Sequence, residues 1–257
     1  MNAIQALYQL SYTPEASCIV STQDGRVKRV LAGKSPFEGA SPHCPRPAYT
    51  CPMEQLMRLS AACAVGLERV LAGELERLGL NEDGRSAGRV AFTTDSAGIA
   101  RALVGLRTAD RVFLELGSFP APDFDALFEG IRSLPWERWV GKQDRLVVEK
   151  ARSLRSALAA QTALQSVAQK AAYERLCAQY RVSRMPDTGT AVATRLRLED
   201  NRATIELDLC GSPLSKRGYR RSPTEAPLKE TVAAAVLFLS GWRRSYPCTT
   251  PSAARAP

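Results

Sequence analysis

Apolar side chains recur at helical spacing early in the chain. Val65, Leu67, Val70, Leu71, Leu75 and Leu78 share one face, and Gly79 follows as a C-terminal stop. The spacing predicts an amphipathic helix over 65–78. Residues 55–62 and 88–93 read as short strands on either side of it. Asp95 can cap a second helix running to about Leu106. Over 111–119, Val112, Leu114 and Leu116 alternate with other residues, as one face of a strand requires. This β-α-β-α-β order predicts a small ferredoxin-like α+β unit over residues 53–120.

A second unit is expected over 121–212. Asp123 caps a helix over 124–131, which runs into Leu134-Pro135-Trp136-Glu137-Arg138-Trp139. Both tryptophans are expected to anchor the core. A strand at 145–151 precedes a long helix at 161–180, with Leu164, Val167, Ala168, Ala171, Ala172 and Leu176 on one side. Residues 190–198 and 203–209 alternate apolar and polar positions around Glu199-Asp200-Asn201, a β-hairpin pattern. A basic segment at 214–221 and a helix at 226–239 follow.

Residues 1–52 differ from the rest. They hold six of the sixteen prolines, which exclude a sustained helix or a central strand. This stretch reads as a poorly ordered extension, with Met53 as an alternative start. The formal net charge of +9 is unevenly placed: residues 53–144 hold 11 basic and 14 acidic side chains, residues 145–257 hold 19 and 9. The pattern suggests a scaffold with an anion-binding face. A solvated, arginine-rich surface without a ligand fits the same composition. The seven cysteines include no CxxC pair, which argues against a zinc site or a disulfide framework. Cys63, Cys177 and Cys210 sit among apolar residues and read as reduced core thiols, as in a cytoplasmic protein. No apolar run approaches the roughly 18 residues of a membrane span, so no membrane partner is expected, and no metal.

The densest basic cluster is Lys216, Arg217, Tyr219, Arg220 and Arg221 around Gly218. Cations neutralise phosphates, a tyrosine face stacks on a base, and glycine admits close approach of a ligand. A second run, Lys150, Arg152 and Arg155, follows a strand, and the two runs are expected to form one groove along an RNA backbone. Catalytic signals are poor. The single histidine, His43, lies in the proline-rich extension, and Ala32-Gly33-Lys34-Ser35 lacks the earlier glycine of a phosphate-binding loop.

Several segments resemble the front half of bacterial THUMP-domain RNA methyltransferases. They are Leu106-Arg107-Thr108-Ala109-Asp110-Arg111-Val112, Phe124-Asp125-Ala126-Leu127-Phe128-Glu129-Gly130 and Leu134-Pro135-Trp136. Leu214-Ser215-Lys216-Arg217-Gly218-Tyr219-Arg220 and Glu225-Ala226-Pro227-Leu228-Lys229-Glu230-Thr231 resemble the link to the family's catalytic half. The resemblance covers about residues 53–247. It implies a ferredoxin-like unit, a THUMP RNA-binding domain over 121–212, and a basic linker with the first helix of a Rossmann-like methyltransferase domain over 213–247. It also implies S-adenosylmethionine as the family's cofactor, structured RNA (ribosomal RNA above all) as partner, and guanine N2 as the methylated atom.

The family's glycine-rich cofactor loop and Asn- or Asp-Pro-Pro-aromatic catalytic loop have no counterpart here, so no cofactor is expected on this chain alone. Residues 248–257 continue no periodicity. Restoring one base before the Cys248 codon permits Leu-Tyr-Asp-Pro-Leu-Cys-Gly-Ser-Gly-Thr, the expected cofactor loop. An out-of-frame tail is therefore expected, and the nucleotide sequence downstream tests it. The resulting expectation is an RNA-capture portion of a guanine-N2 methyltransferase, inactive by itself. A stand-alone RNA-binding adaptor and a complete enzyme with unrecognised catalytic residues are the alternatives.

Overall fold

The computed structural model describes residues 56–217, 228–243 and 245–246, and the backbone of 20–21 and 27–28. The last two pairs form a small antiparallel ladder, β1 (Val20–Ser21) with β2 (Val27–Lys28). The rest of the proline-rich extension, Tyr219, Arg220, Arg221 and the tail at 248–257 lie outside the described residues.

The first unit runs β3 (Met57–Ala62), α1 (Glu68–Arg77), β4 (Glu82–Ser86), β5 (Arg89–Thr94), α2 (Ser96–Gly105) and β6 (Arg111–Pro120). Its strand order, β4-β5-β3-β6, places the first and last long strands side by side, the arrangement of a ferredoxin-like unit. The sequence expectation omitted β4. Its residues, Glu-Asp-Gly-Arg-Ser, offer no apolar alternation, and the strand forms as an edge paired only with β5. Helix α1 starts later than expected, at Glu68, and Val65 is 78% exposed. Its end is as read. Gly79 takes φ +71°, and its N–H and that of Leu80 donate to the carbonyls of Glu76 and Leu75. The Asp95 carboxylate caps α2 by accepting from the Gly98 N–H at 2.7 Å.

The second half adds α3 (Phe124–Ser133), a 3-10 turn at Trp136–Arg138, β7 (Arg145–Leu154), α4 (Gln161–Tyr180), β8 (Ala191–Glu199) and β9 (Arg202–Asp208). Strands β7 and β8 are parallel, joined by the crossover helix α4. Asp200 and Asn201, both at positive φ, make the two-residue turn from β8 to β9. Strand β9 then pairs with β6 from Phe113–Asp208 to Pro120–Arg202. The two halves therefore share one seven-stranded sheet, β4-β5-β3-β6-β9-β8-β7.

The apolar core lies on the helical side. Leu59, Val90, Phe92, Leu114, Leu146, Leu196, Leu198 and Leu207 of the strands are buried in one cluster with Leu71 and Leu75 of α1, Ile99 of α2 and Leu164 of α4. Trp136 is 1% exposed, and its indole N–H donates to the Ile131 carbonyl at 2.8 Å. Strand β9 breaks the expected alternation: every residue from Ala203 to Asp208 is buried. Its polar side chains point away from the helices yet are covered. The last described helix, α5 (Glu230–Leu239), rests on α1, with the Arg77 guanidinium 4.6 Å over the Phe238 ring. No helix among the described residues is long and apolar enough to cross a membrane.

Candidate nucleic-acid interface

The sheet side opposite the helices is covered by guanidinium groups. Phe113 points to this side and has no exposed surface, because Arg89 and Arg195 stack on it at 4.8 and 4.6 Å. Arg89 reaches from β5 across β3 and β6. It donates to Ser60 at 2.9 Å and to both oxygens of Glu206 at 2.7 and 2.8 Å. Arg111 pairs with the buried Asp208, and Arg195 stands 3.8 Å from the same carboxylate. Burial pushes the Asp208 carboxyl up, although both arginines pull it down. Arg197 lies 3.8 Å from Glu206, and Arg58 is 3.6 Å from Glu115. The Arg195 Nε is buried without an acceptor. Stacking on Phe113 sets where that guanidinium lies.

The predicted site residues fall at different places. Lys150 and Arg152 are exposed on β7, in register with Arg195 and Arg197 of β8. Arg155 lies past the end of β7, at φ +48°, and forks onto the Asp200 carboxylate at 2.8 and 2.9 Å. Lys216 is exposed. Arg217 is half-buried and donates to the carbonyls of Leu103, Val104 and Leu106, which closes the C-terminal end of α2. That guanidinium is a part of the scaffold. Lys216 and Arg217 follow Leu214, whose N–H donates to the Asp110 carbonyl at the start of β6. Strands β9 and β8 separate β6 from β7. Among the described residues, Lys216 and Arg217 therefore lie at the β6 end of this half and Lys150 and Arg152 on β7, while Tyr219, Arg220 and Arg221 of the expected groove lie outside the described residues.

Two carboxylates that sequence reasoning passed over organise this corner. Glu74 is 4% exposed and accepts from the N–H groups of Arg107 and Thr108 and from the Thr108 hydroxyl, at 2.7–3.0 Å. Asp110 accepts from Lys229 at 2.6 Å and Thr231 at 2.9 Å. Both ends of segment 215–228 are therefore tied to Asp110. An acidic residue inside a helical repeat gave no sign of the Glu74 role. Asp110 lay in plain view within Leu-Arg-Thr-Ala-Asp-Arg-Val, but its partners are more than a hundred residues away. Beside this corner, Val236, Leu237, Leu239 and Trp242 are exposed, and Arg107, Ala234, Leu237, Phe238 and Trp242 line an open hollow of about 300 Å³.

Burial pushes Cys63 to about 11 and Cys210 to about 12. No cluster of metal-ligating side chains occurs among the described residues.

This β-α-β-β-α-β unit has its counterpart in a known domain family. Residues 58–113 match the RlmL ferredoxin-like domain. Similarity extends well beyond that domain. The chain is 35% identical over 195 residues to the Bacillus subtilis (strain 168) protein named "Putative RNA methyltransferase YpsC", covering 75% of this chain and 50% of that one. It is 29% identical to the "Ribosomal RNA large subunit methyltransferase K/L" of Marinomonas sp. (strain MWYL1), covering 73% of this chain and 26% of that one.

Among solved structures, one titled a predicted N6-adenine-specific DNA methylase from Listeria monocytogenes str. 4b F2365 superposes with TM-score 0.71. The two are 36% identical, over 75% of this chain and 50% of that one. SMU.472, titled a putative methyltransferase complexed with SAH, superposes with TM-score 0.69 at 35% identity, over 74% and 50%. The chain spans at most about half the length of these proteins. Beside the RlmL ferredoxin-like domain, the likeness takes in the second half of the sheet as well.

Proposed function

We propose that this chain is the RNA-capturing half of an S-adenosylmethionine-dependent RNA methyltransferase, with residues 121–212 serving as its THUMP domain. The observation that carries the reading is the 195-residue likeness to half of a protein named as an RNA methyltransferase, joined to the match of 58–113 with the RlmL ferredoxin-like domain. The likeness to a large-subunit ribosomal RNA methyltransferase supports ribosomal RNA as the target and, with the motif resemblance, guanine N2 as the methylated atom. The SAH complex of SMU.472 supports S-adenosylmethionine as the cofactor, which in this reading is held by the catalytic half. In this reading the exposed apolar face of α5 is the surface that a following catalytic sheet covers. Lys150, Arg152, Lys216, Tyr219, Arg220 and Arg221 contact RNA, and Arg155 and Arg217 shape the surfaces beside them.

The names of these similar proteins differ on the nucleic acid, so the deciding experiment compares both. Fluorescence anisotropy of the purified chain is expected to show tighter binding to an RNA hairpin than to the DNA of the same sequence. The affinity should fall steeply as salt rises, because each phosphate contact releases counterions. Equal affinity for both, or none for the RNA, would overturn the reading. Calorimetry with S-adenosylmethionine is expected to show no binding to this chain alone.

A further inference from the structure

The guanidinium-covered side of the sheet is a continuous basic surface across both halves of the molecule. The β7–β8 ladder puts Lys150 beside Arg195 and Arg152 beside Arg197. Arg111, Arg58 and Arg89 continue the row on β6, β3 and β5. These seven cations face four paired carboxylates, Glu115, Glu149, Glu206 and Asp208, an excess of three positive charges. The two central carboxylates are buried beneath the cations. The side chains of Lys150 and Arg152 make no ion pair or hydrogen bond among the described residues.

We propose that this open sheet face holds the sugar-phosphate backbone of an RNA strand, running across the strands from Lys150 and Arg152 toward Arg89. The proposal rests on the RNA-capture reading and names the surface that performs it. Arginine suits the task because one edge of its planar fork can hold a buried carboxylate while other donors face an incoming phosphate. Five strand spacings of about 4.8 Å separate β7 from β5, roughly 24 Å. That is the length of about seven stacked nucleotides at 3.4 Å each. Phe113 offers no face to a base, since Arg89 and Arg195 cover it. Recognition here is of phosphate, independent of sequence.

The competing explanation is protective: Lys150 and Arg152 sit on an edge strand, where charges discourage pairing with other chains. The test uses the full chain and a fluorescein-labelled RNA hairpin with a single-stranded tail, with affinity measured over a potassium chloride series. Lys150→Gln/Arg152→Gln is expected to lower the slope of log affinity against log salt by about 1.4 to 1.8, two phosphate contacts' worth. The control Arg69→Gln/Arg101→Gln, two exposed positions on α1 and α2 of the helical side, should leave the slope unchanged.

If wild type binds the hairpin but the edge pair keeps its slope, the sheet-face path is overturned and the RNA reading stands. An equal drop in both pairs would show a mere net-charge effect and would also overturn it. Absence of binding by wild type removes both proposals. Should the edge pair aggregate, Arg58→Gln/Arg197→Gln reads the same slope from β3 and β8, with the same expected fall and the same overturning result.

Discussion

Glu206 shows how one side chain can tie distant segments. It is 2% exposed, it accepts two hydrogen bonds from Arg89, and Arg197 approaches it. Removing it leaves Arg89 over an apolar ring without a counter-charge. Glu206→Ala is expected to cost about 3 kcal/mol, the lower end for a broken buried pair because Arg89 retains some solvent contact. A urea midpoint unchanged from wild type would refute this.

Glu137 behaves differently. The Arg175 guanidinium beside it holds its carboxyl below the ordinary 4.5. Its pairing therefore stabilises the fold above that value and is lost as pH falls through the depressed one. Both partners are partly exposed, so Glu137→Gln should cost no more than about 1 kcal/mol near pH 7 and less at a pH below the depressed value. Urea titrations of variant and wild type at the two pH values measure that difference. With their thiols pushed to about 11 and about 12, Cys63 and Cys210 should escape labelling in the native state and react only after unfolding, as peptide mapping will report.

At the scale of elements, caps and periodicity were legible before any coordinates. Asp123 accepts from the Ala126 N–H at 2.7 Å, so Asp123→Ala should destabilise α3 by about 1 kcal/mol, readable as a lowered thermal midpoint. Helix α4 runs over the residues its apolar spacing indicated, and the two-residue turn at Asp200-Asn201 stands where the hairpin pattern put it. What failed was local for a physical reason. β4 has no apolar face to betray it and exists because β5 supplies its hydrogen bonds. β9 looked like a half-exposed strand, because nothing near Glu206 or Asp208 in sequence announces the arginines that cover them. The sequence marked Lys150 and Arg152 as a cationic run beside a strand, and both are exposed on β7. The roles of Arg155, Arg217, Glu74 and Asp110 could not be read there, since their partners come from elsewhere in the fold.

Across the whole molecule, the β6–β9 ladder and the Arg89–Glu206 bridge make the two halves one structural body. Unfolding is expected to be a single transition. Tryptophan emission, to which Trp136 and Trp139 of the second half contribute beside Trp242, should change at the same urea concentration as far-UV circular dichroism, which samples both halves. Separate midpoints would mean that the ladder joins the halves only loosely. Leu214 and Lys229 are both tied to this body at Asp110.

The insertion of β9 between β6 and β8 also sets a timetable. About 80 residues of chain separate the end of β6 from the start of β9. At roughly 5–20 residues per second, a ribosome leaves the free margin of β6 unpaired for about 4–16 seconds after it emerges. During that interval Phe113 has neither Arg195 above it nor Asp208 beside it. The nascent protein then presents a half-covered apolar ring beside an unpaired strand edge, the circumstance in which neighbouring chains pair wrongly and chaperones are needed.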